Sequence, residues 1–168
     1  LQAIDESDLT GISTANINGL TTGQLNRLTS LQIMAMSSSQ IKSLTTTQLS
    51  ELLEEQVRGL ESVDIAALST AQTAALKTQQ LNVMSTAQIR AIQTGDIAGL
   101  TTSQMVALSG AQFAAMTTLQ ISVINTDQFS AIDAADMSSL STSQISALDS
   151  NQIIVMTTSQ AIVLTTAQ

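Results

Sequence analysis

From Leu1 onward the chain divides into 21 consecutive octads with no insertion, deletion or remainder. A period this strict constrains the fold more than any single residue, because a short repeat buries its apolar face only against neighbouring repeats. The octad runs apolar, any, small, apolar, Ser/Thr, Thr/Ser, any, Gln, as in Ile145–Gln152 (ISALDSNQ) and Met105–Gln112 (MVALSGAQ). Position four is Ile, Leu or Met in every octad, and position one is apolar everywhere except Thr73, with the small Ala161 its weakest member. Position eight is Gln in 16 octads, Asp at Asp8, Asp64, Asp96 and Asp136, and Asn at Asn16.

Read locally, each octad is a signal to start a helix. Ser141 stands three residues before Gln144, and Asp149 three before Gln152, which is the spacing of the capping box. The cap oxygen accepts from the third helical amide while the Gln reaches back to the cap amide, so two otherwise orphaned donors are satisfied. Ser, Thr, Asp or Asn holds the cap position in 17 of 21 octads. An apolar residue precedes every cap and nearly always recurs five residues later, predicting staples of Leu140 on Ile145 and Leu148 on Ile153. With only the cap residue outside the helix, each segment has about seven residues, too few to be stable alone. Lateral packing must hold them, and the small third position, as at Ala67, Gly99 and Ala147, admits a close neighbour.

These features predict an all-α solenoid, a superhelix of short capped helices, one per octad, forming a single array over residues 1–168. One continuous helix is excluded: eight residues at about 100° each carry the apolar stripe around the helix within about five octads. The rival is a β-solenoid, since Thr and Ile suit strands and about three octads make a triangular coil. Against it, positions one and four have opposite parity, and a straight strand sends them to opposite faces. Two octads per layer at the usual 8–10 Å helix spacing predict a rod of roughly 90–100 Å.

The same residues narrow the chemistry. There is no Cys, which removes disulfides, thiolate catalysis and Cys-based metal sites, and no His, the usual general base and zinc ligand. Ser and Thr are abundant, but without His no Ser/His/Asp arrangement exists, and Lys42 and Lys77 are isolated. Gly11, Gly19, Gly59 and Gly99 fall at the small position and form no phosphate loop. The Asp residues of position eight are spread along the array, so their expected task is capping, not acid–base work. Six of the seven Met residues occupy apolar positions and belong to the core; Met34 is expected to be exposed. The expectation is therefore no catalytic, cofactor-binding or metal-binding residue, no cofactor and no enzyme activity.

A net charge of −8 disfavours nucleic acid and anionic lipid, and two Phe residues offer no stacking platform. No apolar run approaches the roughly 20 residues of a membrane span, and no secretory signal pattern opens the chain, so a sequence beginning at Leu1 is expected to be a fragment. One segment breaks the octad rule. In LSELLEEQVRGL (49–60) Leu53 replaces the cap, which predicts one longer helix over about Thr46 to Arg58 with a Glu54–Arg58 pair. Glu51, Glu54, Glu55 and Glu61 there suggest either a cation site or a docking patch, or simply a solvated face, and the solvated face is preferred because no calcium-type Gly turn is present. Thr73, Arg27 and Glu51 read as local drift, and Lys77 and Gln93 predict frayed helix starts.

Motifs such as LTTSQMVALSGAQ and LTTTQLSEL resemble the Leu-Thr-x-x-Gln-apolar helix starts of superhelical repeat proteins, among them TAL-effector DNA-binding repeats and mesothelin-like superhelices. TAL repeats are longer and carry base-reading loops that this acidic chain lacks, so DNA binding does not carry over. The uninterrupted array resembles the octapeptide-repeat regions of large bacterial secreted or cell-surface proteins of adhesin or fibre type. That resemblance implies a non-catalytic extended spacer, scaffold or self-assembling fibre outside the cell, whose partners are itself, end to end or laterally, or flanking domains. The alternative is a binding module presenting Thr pairs such as Thr101–Thr102 and Thr157–Thr158 to glycan, mineral or ice.

Overall fold

The computed structural model describes residues 5–168. Among them are twenty α-helices, α1 to α20, from Glu6–Leu9 to Thr158–Ile162, and no strand. The protein is thus an all-α repeat solenoid. Each helix follows a position-five residue held in extended conformation, such as Thr45 (φ −70°, ψ 160°) before α6 (Thr46–Ser50). The helices have four to six residues, shorter than the seven expected. The position-four amide donates to the position-one carbonyl, as Leu44 does to Ile41 at 3.1 Å, and this tight closure ends the helix before the next cap.

Stacking sets the superhelix. Helix α4 (Ser30–Met34) packs on α7 (Glu54–Gly59), α5 (Ser38–Ser43) on α8 (Ser62–Ala67), and α8 on α11 (Thr86–Ala91). Side-chain bonds meanwhile reach four helices back, as from Gln40 in α5 to the Leu9 carbonyl at the end of α1. One turn therefore takes about 28 residues, or three and a half octads, and not the two octads per layer expected. Six such turns at 8–10 Å each make a rod of roughly 50–60 Å, against the 90–100 Å that two-octad layers implied.

The core runs along the whole array. From Leu9 to Met137 every position-one side chain is at most 1% exposed, and from Leu28 to Leu140 every position-four side chain is 2–5% exposed. Each such burial contributes about 1.5–3 kcal/mol, which offsets the cost of ordering helices too short to stand alone. Met34, at the variable second position, is 45% exposed, as its place in the octad predicts. Gly59 shows why the third position is small: a Cβ there would lie 2.6 Å from the Ser30 carbonyl oxygen of the preceding turn.

The longer helix expected over 46–58 does not form. α6 ends at Ser50 and α7 begins at Glu54, with Leu53 extended (φ −67°, ψ 153°). Gln56 Oε1 accepts from the Leu53 amide at 2.9 Å, so the N3 half of the capping box starts the helix without a polar cap. A continuous helix would also rotate Leu52 or Val57 out of the core. The Glu54–Arg58 pair is present at 3.7 Å. Lys77 likewise keeps its helix in register, its amide donating to Gln80 Oε1 at 2.8 Å, and α12 (Thr94–Ala98) starts in register after Gln93.

Candidate functional site

The residue type that organises this molecule is the glutamine of position eight. From Gln32 to Gln160 the position-eight side chains are buried, Asp136 excepted. Burying an amide is costly unless its polar atoms find partners. Gln88 shows how they do. Its Oε1 accepts from the Ser85 amide at 2.7 Å, and its Nε2 donates to the carbonyls of Val57 at 2.8 Å and Leu60 at 2.7 Å. Ser85 Oγ in turn accepts from the Gln88 amide at 3.2 Å, closing the capping box.

One side chain thus serves two helix ends. It satisfies an N-terminal donor of its own helix and the position-four carbonyl one turn earlier, which otherwise lacks a partner, and at Val57 adds a second donor to a position-one carbonyl that already accepts from the Leu60 amide. All fourteen position-eight glutamines from Gln40 to Gln168 donate to the carbonyl 28 residues back, for example Gln56 to Leu28, Gln80 to Leu52, Gln112 to Met84 and Gln160 to Ile132. Spacing alone predicts the capping role and is silent on the link between turns. The sequence signal for that link is the choice of amide over acid. A capping box accepts Glu as readily as Gln, yet none of the chain's five Glu residues occupies position eight. Only an amide supplies both an acceptor and donors.

The aspartates at position eight show the converse. Capping was expected of all four, but only Asp64 accepts from its cap amide, Glu61, at 2.9 Å; Asp8, Asp96 and Asp136 close no capping box. Lacking N–H donors, Asp64, Asp96 and Asp136 receive hydrogen bonds from the preceding turn. Ser38 Oγ donates to Asp64 at 2.8 Å, Thr73 Oγ1 to Asp96 at 3.4 Å, and the Gly110 amide to the Asp136 carboxylate.

Thr73 is therefore not drift. It is 1% exposed at a position that is otherwise apolar, and its hydroxyl serves the nearby acid. Removing that hydroxyl in Thr73→Val is expected to destabilise the array by about 1–3 kcal/mol through the orphaned Asp96. Thr73→Ile combined with Asp96→Gln restores both consensus residues, lets the introduced amide reach the Ile65 and Leu68 carbonyls, and is expected to exceed wild type in stability. Urea unfolding of Thr73→Ile, Asp96→Gln and the double variant measures the coupling.

Asp136 has its pKa raised above the ordinary 3.8, first by burial and then by the negative charge of Asp133, with the Gly110 amide opposing. Its ionised form is thus penalised in the fold, so its contribution to stability is gained as pH falls through the raised value and lost as pH rises through it. Asp136→Asn is expected to raise the urea midpoint near neutral pH and to lose that advantage below the ordinary 3.8. An advantage that grows in acid would contradict the assignment.

The acidic segment forms a solvated face. Glu51, Glu54, Glu55 and Glu61 are all exposed; Glu51 pairs with Lys77 of the next turn at 2.8 Å, and Glu54 with Arg58. Among the described residues no three acids are grouped to hold a metal ion, and no helix is long and apolar enough to cross a membrane. The shallow grooves near this face are lined by residues such as Leu53, Glu54, Gln79 and Asn82.

Short capped helices, a continuous apolar core and amide links between turns define the class, a helical solenoid of octapeptide units. Within that class the chain belongs to the ALTTAQ repeat family, whose model matches residues 1–38, 57–91, 89–126 and 129–166. The matches begin at Leu1, Val57, Ile89 and Phe129, each the first position of an octad, so the family's unit is in phase with the repeat described above. The segment between the first two matches contains Leu53, where the cap is lost. No curated protein matches the chain significantly.

Proposed function

We propose that this is a non-catalytic structural repeat protein, an extended spacer or scaffold of a secreted or surface-located bacterial protein. The observation that carries the reading is that the buried position-eight amides are consumed by the fold. The position-eight amides join turn to turn, and most position-five hydroxyls cap helices, as at Thr45 and Thr101. What faces outward is a mixed surface of Thr, Ser and scattered acids with isolated apolar side chains such as Val63 and Leu119. At three and a half octads per turn, equivalent positions in successive turns are offset by half an octad, so the threonines do not form an unbroken column, which favours a spacer over a flat binding lattice.

A spacer has a defined test. Deleting seven octads, two full turns, is expected to shorten the rod by about 16–20 Å in small-angle scattering while leaving helical content per residue unchanged. A deletion that collapses the remaining turns would count against independent, additive units. Placement outside the cell rests on the resemblance of the array to octapeptide-repeat regions of large bacterial secreted or cell-surface proteins, and protease accessibility of the chain on intact producing cells tests it.

A further inference from the structure

We propose that Asn18 is a self-modification site, an asparagine that converts to aspartate or isoaspartate when its bond to the next turn opens, and that the conversion keeps this bond from forming again. Of the chain's six asparagines, Asn18 alone is followed by glycine. An Asn-Gly step is the one most open to attack by the backbone on the side-chain amide, because glycine leaves its nitrogen unshielded and its backbone free to turn. Asn18 is exposed at position two, as are Asn82, Arg90 and Val106 at the same position further along, so the water that the reaction consumes has access. The fold meanwhile holds both nitrogens of the reaction. Asn18 Nδ2 donates to the Ser43 carbonyl at 2.7 Å, joining α2 (Thr14–Asn18) to the end of α5, and the Gly19 amide donates to the Ala15 carbonyl at 3.0 Å.

The reaction needs only water. Once α2 opens, the Gly19 amide nitrogen gives its proton to a base in solution and attacks Cγ of Asn18. The Cγ–Nδ2 bond breaks, Nδ2 takes up a proton and leaves as ammonia, and a cyclic imide remains. Water then opens the imide at either carbonyl, giving aspartate or, where the backbone is rerouted through Cγ, isoaspartate. The atom that leaves is the atom that links the turns. A carboxylate in its place has no donor and sets a negative charge against the Ser43 carbonyl oxygen. The bond from Ser43 Oγ to the Thr14 carbonyl at 3.2 Å remains, so α2 loosens at its C-terminal end and stays in the array. Asn82 is the internal comparison: its Nδ2 makes the equivalent bond to the Ala107 carbonyl at 3.1 Å, also 25 residues on, but Val83 follows it and shields the attacking nitrogen.

Peptide mapping by mass spectrometry of the whole chain, aged in mildly alkaline buffer with and without urea, tests the proposal. In urea, conversion is expected to concentrate at residue 18 while Asn82 stays intact, and Gly19→Ala, which suits the right-handed backbone there (φ −76°, ψ −7°), is expected to suppress it. Without urea, conversion at residue 18 is expected to be at least about tenfold slower, the protection given by a segment that opens only in a minority of molecules. Asn18→Asp reproduces one product directly. In that variant the Gly19 and Leu20 amides, bonded to the Ala15 and Ile17 carbonyls, are expected to exchange hydrogen about tenfold faster than in wild type, with exchange from α8 onward unchanged. Equal conversion with and without urea, conversion in urea no faster at residue 18 than at Asn82, or unchanged exchange at Gly19 and Leu20 in Asn18→Asp would overturn the proposal.

Discussion

Gln88→Glu, a change of one amide nitrogen to oxygen, is expected to destabilise the array by about 3–5 kcal/mol near neutral pH. The glutamate retains the acceptor for the Ser85 amide, so the capping box survives. It loses the Nε2 donor and places a buried negative charge against the Val57 and Leu60 carbonyl oxygens, now 2.8 and 2.7 Å from the amide nitrogen. Gln88→Ala strands the Leu60 carbonyl and the Ser85 amide, leaves the Val57 carbonyl its bond from the Leu60 amide, buries no charge, and is expected to cost about 2–3 kcal/mol. The order of the two variants separates a linker from a cap, because a residue needed only for capping would tolerate Glu better than Ala. Burial raises the pKa of the new carboxyl above its unfolded value, so the Glu variant regains stability as pH falls through that value and loses it as pH rises. Urea unfolding of both variants across that range measures the order and the slope.

Phe113→Ala should cost about 3–5 kcal/mol. Phe113 is fully buried at position one and is among the largest side chains in the core, so its loss leaves a cavity between turns. Its carbonyl also accepts from Gln144 Nε2 at 2.9 Å, and relaxation into the cavity would disturb that link. Leu119→Ala provides the contrast: at 67% exposure in the seventh position, it is expected to change stability by no more than about 0.5 kcal/mol. Because the units are coupled mainly to their neighbours, hydrogen exchange should show the Phe113 defect concentrated in the turns on either side.

Much of this structure is legible in the octad. The capping box at Ser141 and Gln144, the core role of positions one and four, and the exposure of Met34 all follow from spacing alone, and the structure has them in place. The helix starts at Leu53 and Lys77 are misplaced when the polar cap is given the whole responsibility. The glutamine three residues later holds the start by itself when its amide oxygen is engaged. The pitch is not legible because every octad is nearly the same, so nothing in the repeat distinguishes a neighbour two octads away from one three and a half octads away. That choice is made in three dimensions, by how far a glutamine reaches and which carbonyl it meets. The compensations at Thr73–Asp96 and Ser38–Asp64 become visible only once the 28-residue turn is known, since their partners lie 23 and 26 residues apart.

The pitch is also the point on which the amide links and the rod length both depend. A chain without cysteine lends itself to a direct measurement of it. A Cβ at Gly110 would lie 3.1 Å from the Cβ of Ser139 in the next turn, a few tenths of an ångström inside the usual disulfide range and with no backbone atom among its three nearest contacts. Under mild oxidation Gly110→Cys with Ser139→Cys is expected to form an intramolecular disulfide nearly quantitatively, whereas Gly110→Cys with Thr126→Cys, two octads apart, is expected to stay reduced. Rapid closure of the 126 pair with none at 139 would contradict a turn of three and a half octads, and with it the role assigned to the glutamines.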